Sequence, residues 1–134
     1  MSFTLDLSKF ANLTESKMKQ VITKTGIDLG QSIISDTPVD SGRLKGNWQP
    51  DINAYDETTT ETTDKSGGAT LARVATRFNG YKTGDTLTLS NNLPYAYHIE
   101  FLGHSKIKAP KGMVRLNVLK FQQFVNKNAR LANG

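Results

Sequence analysis

Cysteine is absent from this 134-residue chain. Its absence excludes disulfide scaffolds, thiolate zinc sites, iron–sulfur clusters and cysteine nucleophiles together. It also fits a reducing compartment. No apolar run approaches the roughly 18 residues that a membrane-spanning helix needs. The opening Met1-Ser2-Phe3-Thr4-Leu5-Asp6 lacks the basic-then-apolar profile of a secretory signal. The chain is therefore expected to be made in a cytoplasm and to enter no membrane. Histidine is scarce too: His98 and His104 are the only two, and His98-Ile99-Glu100 lacks the His-Glu-x-x-His spacing of a helical zinc pair. Neither Gly-x-x-x-x-Gly-Lys-Ser/Thr nor Gly-x-Ser-x-Gly occurs, so phosphate-cradling loops and nucleophile elbows have no support. Spacing leaves a glycosidase carboxylate pair open, but no cluster of sugar-stacking aromatics accompanies one. Asp40-Ser41 beside Arg43 would need His98 or His104 as a base to act as a hydrolase. A turn or a helix cap suits Asp40 and Ser41 better. The expectation is a protein without enzymatic activity, metal or cofactor.

Hydrophobic residues at 37% and charged residues at 22% support one modest core and hence one domain spanning residues 1–134. Acidic residues stop at Glu100. Beyond it stand Lys106, Lys108, Lys111, Arg115, Lys120, Lys127 and Arg130, seven bases without an acid, for a net charge of +5 overall. Asp51, Asp56, Glu57, Glu61 and Asp64 form the opposite block, with no base among them. Such blocks can pair within a chain, pair between copies, or present the basic part to nucleic acid. No aromatics interleave the densest basic stretch, so any nucleic-acid contact would run through phosphates without sequence preference.

Periodicity predicts an α+β fold. Met18, Val21, Ile22, Leu29 and Ile33 form the stripe of a helix from about Leu13 to Ser35, roughly 30 Å long, which Pro38 ends. Gly26 and Gly30 either weaken its second half or admit a close neighbour. Phe3, Leu5 and Leu7 alternate with polar residues, so residues 1–12 read as a short strand or an extended arm. Trp48, Pro50 and Ile52 alternate as a half-buried strand, which Pro50 places at a sheet edge or a bulge. Residues 54–68 hold five threonines (58, 59, 60, 62 and 63) and four acids. They read as a long loop, or as a β-ribbon that forms in an assembly. Leu71, Val74, Ala75 and Phe78 predict a short helix closed by Asn79-Gly80, with Arg73 and Arg77 on its outer side. Thr86–Ser90 predicts a strand with Leu87 and Leu89 inward and threonines outward, and 95–101 a short helix or tight turn. Val114, Val118, Phe121 and Val125 predict one C-terminal helix. The long and the C-terminal helix should pack on a small antiparallel sheet, with the Thr-rich loop extended.

Two motifs are dense in special residues. In Thr37-Pro38-Val39-Asp40-Ser41-Gly42-Arg43-Leu44-Lys45-Gly46-Asn47-Trp48, Pro and Gly fix a chain reversal and Trp48 anchors the next strand. The second is Asn91-Asn92-Leu93-Pro94-Tyr95-Ala96-Tyr97-His98-Ile99-Glu100-Phe101. A guanidinium fork fits a carboxylate, so Arg43 and Glu100 are the candidate pair closing one motif on the other.

These two motifs, followed by Ala109-Pro110-Lys111-Gly112-Met113-Val114-Arg115, resemble in content and order the neck or tail-completion (head–tail joining) family of tailed bacteriophages. The resemblance runs from about Ile33 to Phe124, behind a long N-terminal helix. It implies a non-enzymatic virion protein, assembled in the host bacterial cytoplasm, that forms a homo-oligomeric ring of six or twelve copies. Its implied partners are the head-side connector or stopper and the tail terminator or tail tube, with DNA passing through the bore. Pro38, Asp40, Gly42, Arg43, Trp48, Asn92, Pro94, Tyr95 and Glu100 are its structural motif residues. Lys106, Lys108, Lys111 and Arg115 are candidate channel or subunit contacts. The alternatives are a tail-terminator ring from the same assembly and, in another class, a small basic nucleic-acid-binding protein.

Overall fold

The computed structural model describes residues 2–5, 14–102 and 113–133. Its longest element, helix α1 (Glu15–Asp36), starts where the Thr14 side chain accepts the amide of Lys17 at 3.3 Å. It stops at Thr37, which turns extended ahead of Pro38. The predicted stripe is its buried face: Met18, Val21, Ile22, Leu29 and Ile33 are all in the core.

Three short strands, β1 (Ser2–Leu5), β2 (Gln49–Ile52) and β3 (Leu87–Ser90), form an antiparallel sheet in the order β1-β3-β2. Phe3 and Pro50 both lie opposite Leu89, so one central strand carries both partners. The N-terminal segment is thus a strand paired within its own chain; Leu7 and the rest of 6–13 lie outside the described residues. Pro50 sits on an edge strand, as its missing donor requires. All of β3 is buried. Thr88, one of the threonines expected to point outward, is buried, and two residues on, the Ser90 hydroxyl donates to the Asp56 carbonyl at 3.0 Å.

Helix α3 (Gly68–Phe78) packs on α1 and β2, and the small turn of helix α2 (Arg43–Gly46) packs against α3. Gly26 and Gly30 serve that packing. A Cβ on Gly26 would stand 2.8 Å from Leu87 Cδ1 and 3.2 Å from Phe78 Cδ2, and one on Gly30 3.1 Å from Val74 Cγ1. Bare backbone at these two positions, one turn apart, lets β3 and α3 seat directly on α1. This close packing offsets the helix propensity that glycine forfeits.

Helix α4 (Pro94–Leu102) is formed by the second motif from Pro94 onward. The expected single C-terminal helix is two: α5 (Val114–Val118) and α6 (Phe121–Asn133). Val118 fits the apolar period across the break, yet it is exposed, as is Leu119. Asn117 decides the direction of α5. It is buried, donates to the Asp36 carboxylate at 2.8 Å and to the Met113 carbonyl at 2.7 Å, and accepts from the Ser32 hydroxyl. This polar tie to α1 reorients the chain before α6 packs along α1 through Val125. None of the described helices is long and apolar enough to cross a membrane.

Candidate functional site: the junction of the motif blocks

Behind α1, Thr37 orders the first motif. Its hydroxyl donates to the Ile33 carbonyl at 2.7 Å and accepts the indole N–H of the fully buried Trp48 at 2.9 Å. Trp48 is therefore the anchor its motif predicted. Pro38 is half-buried, and Asp40 and Ser41 are exposed on the turn. The Ser41 hydroxyl accepts the Arg43 amide at 3.2 Å, so it builds the turn. Gly42 then takes a left-handed conformation, φ 89°, and its carbonyl accepts the amides of Gly46 (3.0 Å) and Asp64 (2.9 Å). A Cβ on Gly42 would lie 2.7 Å from the Lys65 nitrogen, so glycine is required where the loop crosses.

That loop, residues 53–67, contains no strand and is bound along its length to its own domain. Asn47 treats Thr60 as a strand neighbour would: Oδ1 accepts the Thr60 amide at 2.8 Å, and Nδ2 donates to the Thr60 carbonyl at 2.9 Å. Arg43 Nε donates to the same carbonyl at 3.0 Å, and its guanidinium pairs with Glu61 at 3.1 Å. Farther back, Asn92 Nδ2 donates to the Asp56 carbonyl at 2.7 Å and Tyr55 donates to Asn92 Oδ1 at 2.8 Å. At its end Asp64 accepts the amides of Gly67 (3.0 Å) and Thr70 (2.8 Å) and the Thr70 hydroxyl (2.7 Å) at the start of α3. The Thr-rich segment is thus a strap knitted to its own chain, not a free arm.

The second motif meets the first directly, because the buried Asn91 donates to the Leu44 carbonyl at 2.8 Å. Pro94 and Tyr95 open α4 on the surface, with Tyr95 45% exposed. Glu100 is buried, and its carboxylate accepts the Met113 amide at 3.0 Å and also the Val114 amide. The expected Arg43–Glu100 pair does not form. Arg43 is committed to the strap, and Glu100 joins α4 to the first turn of α5. Lys106, Lys108, Lys111 and His104 lie outside the described residues, and the side chains of His98 and Arg115 do as well.

The acidic block is mostly consumed internally. Asp51 pairs with Arg77 at 2.6 Å, and that hydrogen bond, opposed by burial, holds its carboxyl below the ordinary aspartate range. For Asp64, burial pushes upward, but the hydrogen bonds from Thr70, Gly67 and Ser66 prevail and lower it. Arg73 and Arg77 correspondingly face the sheet side rather than the outside: Arg73 donates to the carbonyls of Trp48 (2.7 Å) and Gly46 (3.2 Å). Glu57 has no cationic partner among the described residues, and the Glu61 side chain is 89% exposed despite its pair. Of the basic block, Lys127 finds Asp28 of α1 at 3.0 Å.

Sequence reading missed a second feature. A groove of about 530 Å³ lies between the first half of α1 and the end of α6, lined by Lys19, Gln20, Lys24, Asn79, Asn128 and Leu131 among others. Asn128 is buried and donates to Asp28 (2.9 Å) and Thr25 (3.2 Å), and its Oδ1 has no hydrogen-bond donor among the described residues. The available signal was charge: Lys17, Lys19 and Lys24 stand on the opening turns of α1 against Glu15 alone. Among the described residues no three His, Asp or Glu side chains gather as metal ligands. Compared with known proteins, the chain matches no family model, no curated protein and no solved structure.

Proposed function

We propose that the chain is a structural subunit of the ring that joins head to tail in a tailed bacteriophage, the neck or tail-completion role, with DNA passing through the bore. The observation that carries this reading is the convergence of the blocks on which the family resemblance rests. Thr37–Trp48 and Asn91–Glu100 meet through Asn91 and Leu44, the strap binds both through Asn47 and Asn92, and Glu100 holds Met113-Val114 of the third block. Residues scattered over some 75 positions thus define one rigid corner, whose hydrogen bonds fix backbone and leave side chains such as Tyr55, Tyr95 and Tyr97 on the surface. A joining protein needs this: a stiff body that presents fixed surfaces to identical neighbours. A sheet bounded by two short edge strands also supports it, since further chains can add there.

Native mass spectrometry of the purified chain tests the proposal. A closed oligomer of six or twelve copies is the expected result. A chain that stays monomeric at all concentrations would overturn it. Salt-dependent binding of duplex DNA by that monomer would then favour the nucleic-acid-binding reading.

A further inference from the structure

We infer that the groove between α1 and α6 is the socket for the acidic strap of a second copy, so that successive subunits join head to tail through it. The inference rests on the ring reading above and names its interface. Three observations carry it.

The groove is unsatisfied in both charge and hydrogen bonding. Lys19 and Lys24 line it, both are exposed, and neither has an acidic partner among the described residues. Asn128, which also lines it, is 98% buried, and its Oδ1 has no donor among the described residues. The ligand it fits is anionic.

The strap has that chemistry. Among the described residues Glu57 lacks a cationic partner and the Glu61 carboxylate is held only by its contact to Arg43, and Thr58, Thr59, Thr62 and Thr63 are exposed around them. Exposed ion pairs of that kind contribute little, so Glu61 is readily shared. Of the other acids of the block, Asp51 is bound to Arg77, Asp64 to the start of α3, and Asp56 to the amide and hydroxyl of Thr58 within the strap.

The two surfaces stand at opposite ends of α1. A Cβ on Gly26 would meet Leu87 and one on Gly30 would meet Leu89, so β3 runs alongside α1 and ends with Ser90 toward the C-terminal end of the helix. The strap is bound there, through Ser90 and through Gly67 against Ile34, whereas the groove spans Ser16 to Lys24. At about 1.5 Å per residue the helix separates them by about 15–27 Å, from Lys24 and Ser16 respectively to Ile34. A strap therefore cannot reach its own groove. Complementary patches on opposite ends make a heterologous contact, which repeats into a ring where the rotation closes.

Charge reversal with rescue tests the socket. The groove variant carries Lys19→Glu and Lys24→Glu, the strap variant Glu57→Lys and Glu61→Lys, and a third chain carries all four. Sedimentation at low and high salt measures self-association, and urea unfolding verifies that each chain is folded. Each two-site variant should weaken association about tenfold or more, and the four-site chain should recover it, because every socket then meets a strap of opposite sign. A folding defect would not be recovered in this way. If the wild type assembles and the variants assemble equally well, or the four-site chain stays as weak as its parents, the socket is wrong while the ring reading stands. A wild type that never assembles removes both.

Discussion

Replacing Asp64 with alanine should be among the most costly single changes on the surface of this protein. The carboxylate accepts four hydrogen bonds: from the amides of Gly67 and Thr70 and the Thr70 hydroxyl at 2.7 to 3.0 Å, and a longer one from the Ser66 hydroxyl at 3.4 Å. Two of these satisfy donors at the start of α3 that have no partner within the helix. Losing a side-chain cap costs about 0.5–2 kcal/mol, and hydrogen bonds to a charged group sit at the upper end of the usual range. Thr70 is buried, so its hydroxyl loses its partner without water to replace it. Together these place Asp64→Ala at about 2–3 kcal/mol, or roughly 10 °C in melting temperature at this chain length. Its pH dependence is specific. The folded carboxyl titrates below the ordinary value of about 3.9. The stability it provides is therefore present above that value and is lost as pH falls through the folded one. Urea unfolding of both chains should show the full difference at pH 7 and a progressively smaller one as pH is lowered below the ordinary aspartate value. A difference under about 0.5 kcal/mol at pH 7, the range of ordinary surface substitutions, or one that does not change with pH, would refute the reasoning.

Three further perturbations probe other parts of the fold. Gly26→Val drives two methyl groups into Leu87 and Phe78 and should cost about 1–3 kcal/mol in urea unfolding, since the approach of β3 to α1 leaves no space. Glu100→Ala strips the Met113 and Val114 amides of a buried acceptor and should cost about 2–4 kcal/mol, with hydrogen exchange rising at those two amides first. Arg77→Ala should cost less than about 1 kcal/mol, because Arg77 is half exposed. The same change should move the Asp51 titration, followed by NMR, upward toward the ordinary aspartate value and so reduce acid sensitivity at that site.

What was legible in the sequence was whatever depends on local period or on one decisive residue. The stripe of α1 reads directly from Met18 to Ile33, and Pro38 marks its end. Trp48 reads as an anchor because no other residue of that motif fills comparable volume. Pro50 reads as an edge because proline cannot donate. Other features depend on distant partners. The strap has no periodicity, since its order comes from Asn47, Arg43, Gly42 and Asn92 gripping its backbone, and a backbone acceptor leaves no trace in the residue that carries it. Arg43 and Glu100 are complementary in charge, but the fold gives each a nearer partner. The break between α5 and α6 is concealed because Val118 keeps the helical period while Asn117 turns the chain. Lys19, Lys24 and Asn128 come together only when α6 lies along α1, more than 100 residues after its start.

The claim on which the functional account stands is that identical copies of this chain close a ring between capsid and tail. Cryo-electron microscopy of the tailed particles that contain it tests this most directly. The account predicts density for this fold, repeated around the particle axis at the head–tail junction, with each strap lying against the α1–α6 groove of the next copy. Particles whose junction is built entirely of other polypeptides would contradict it.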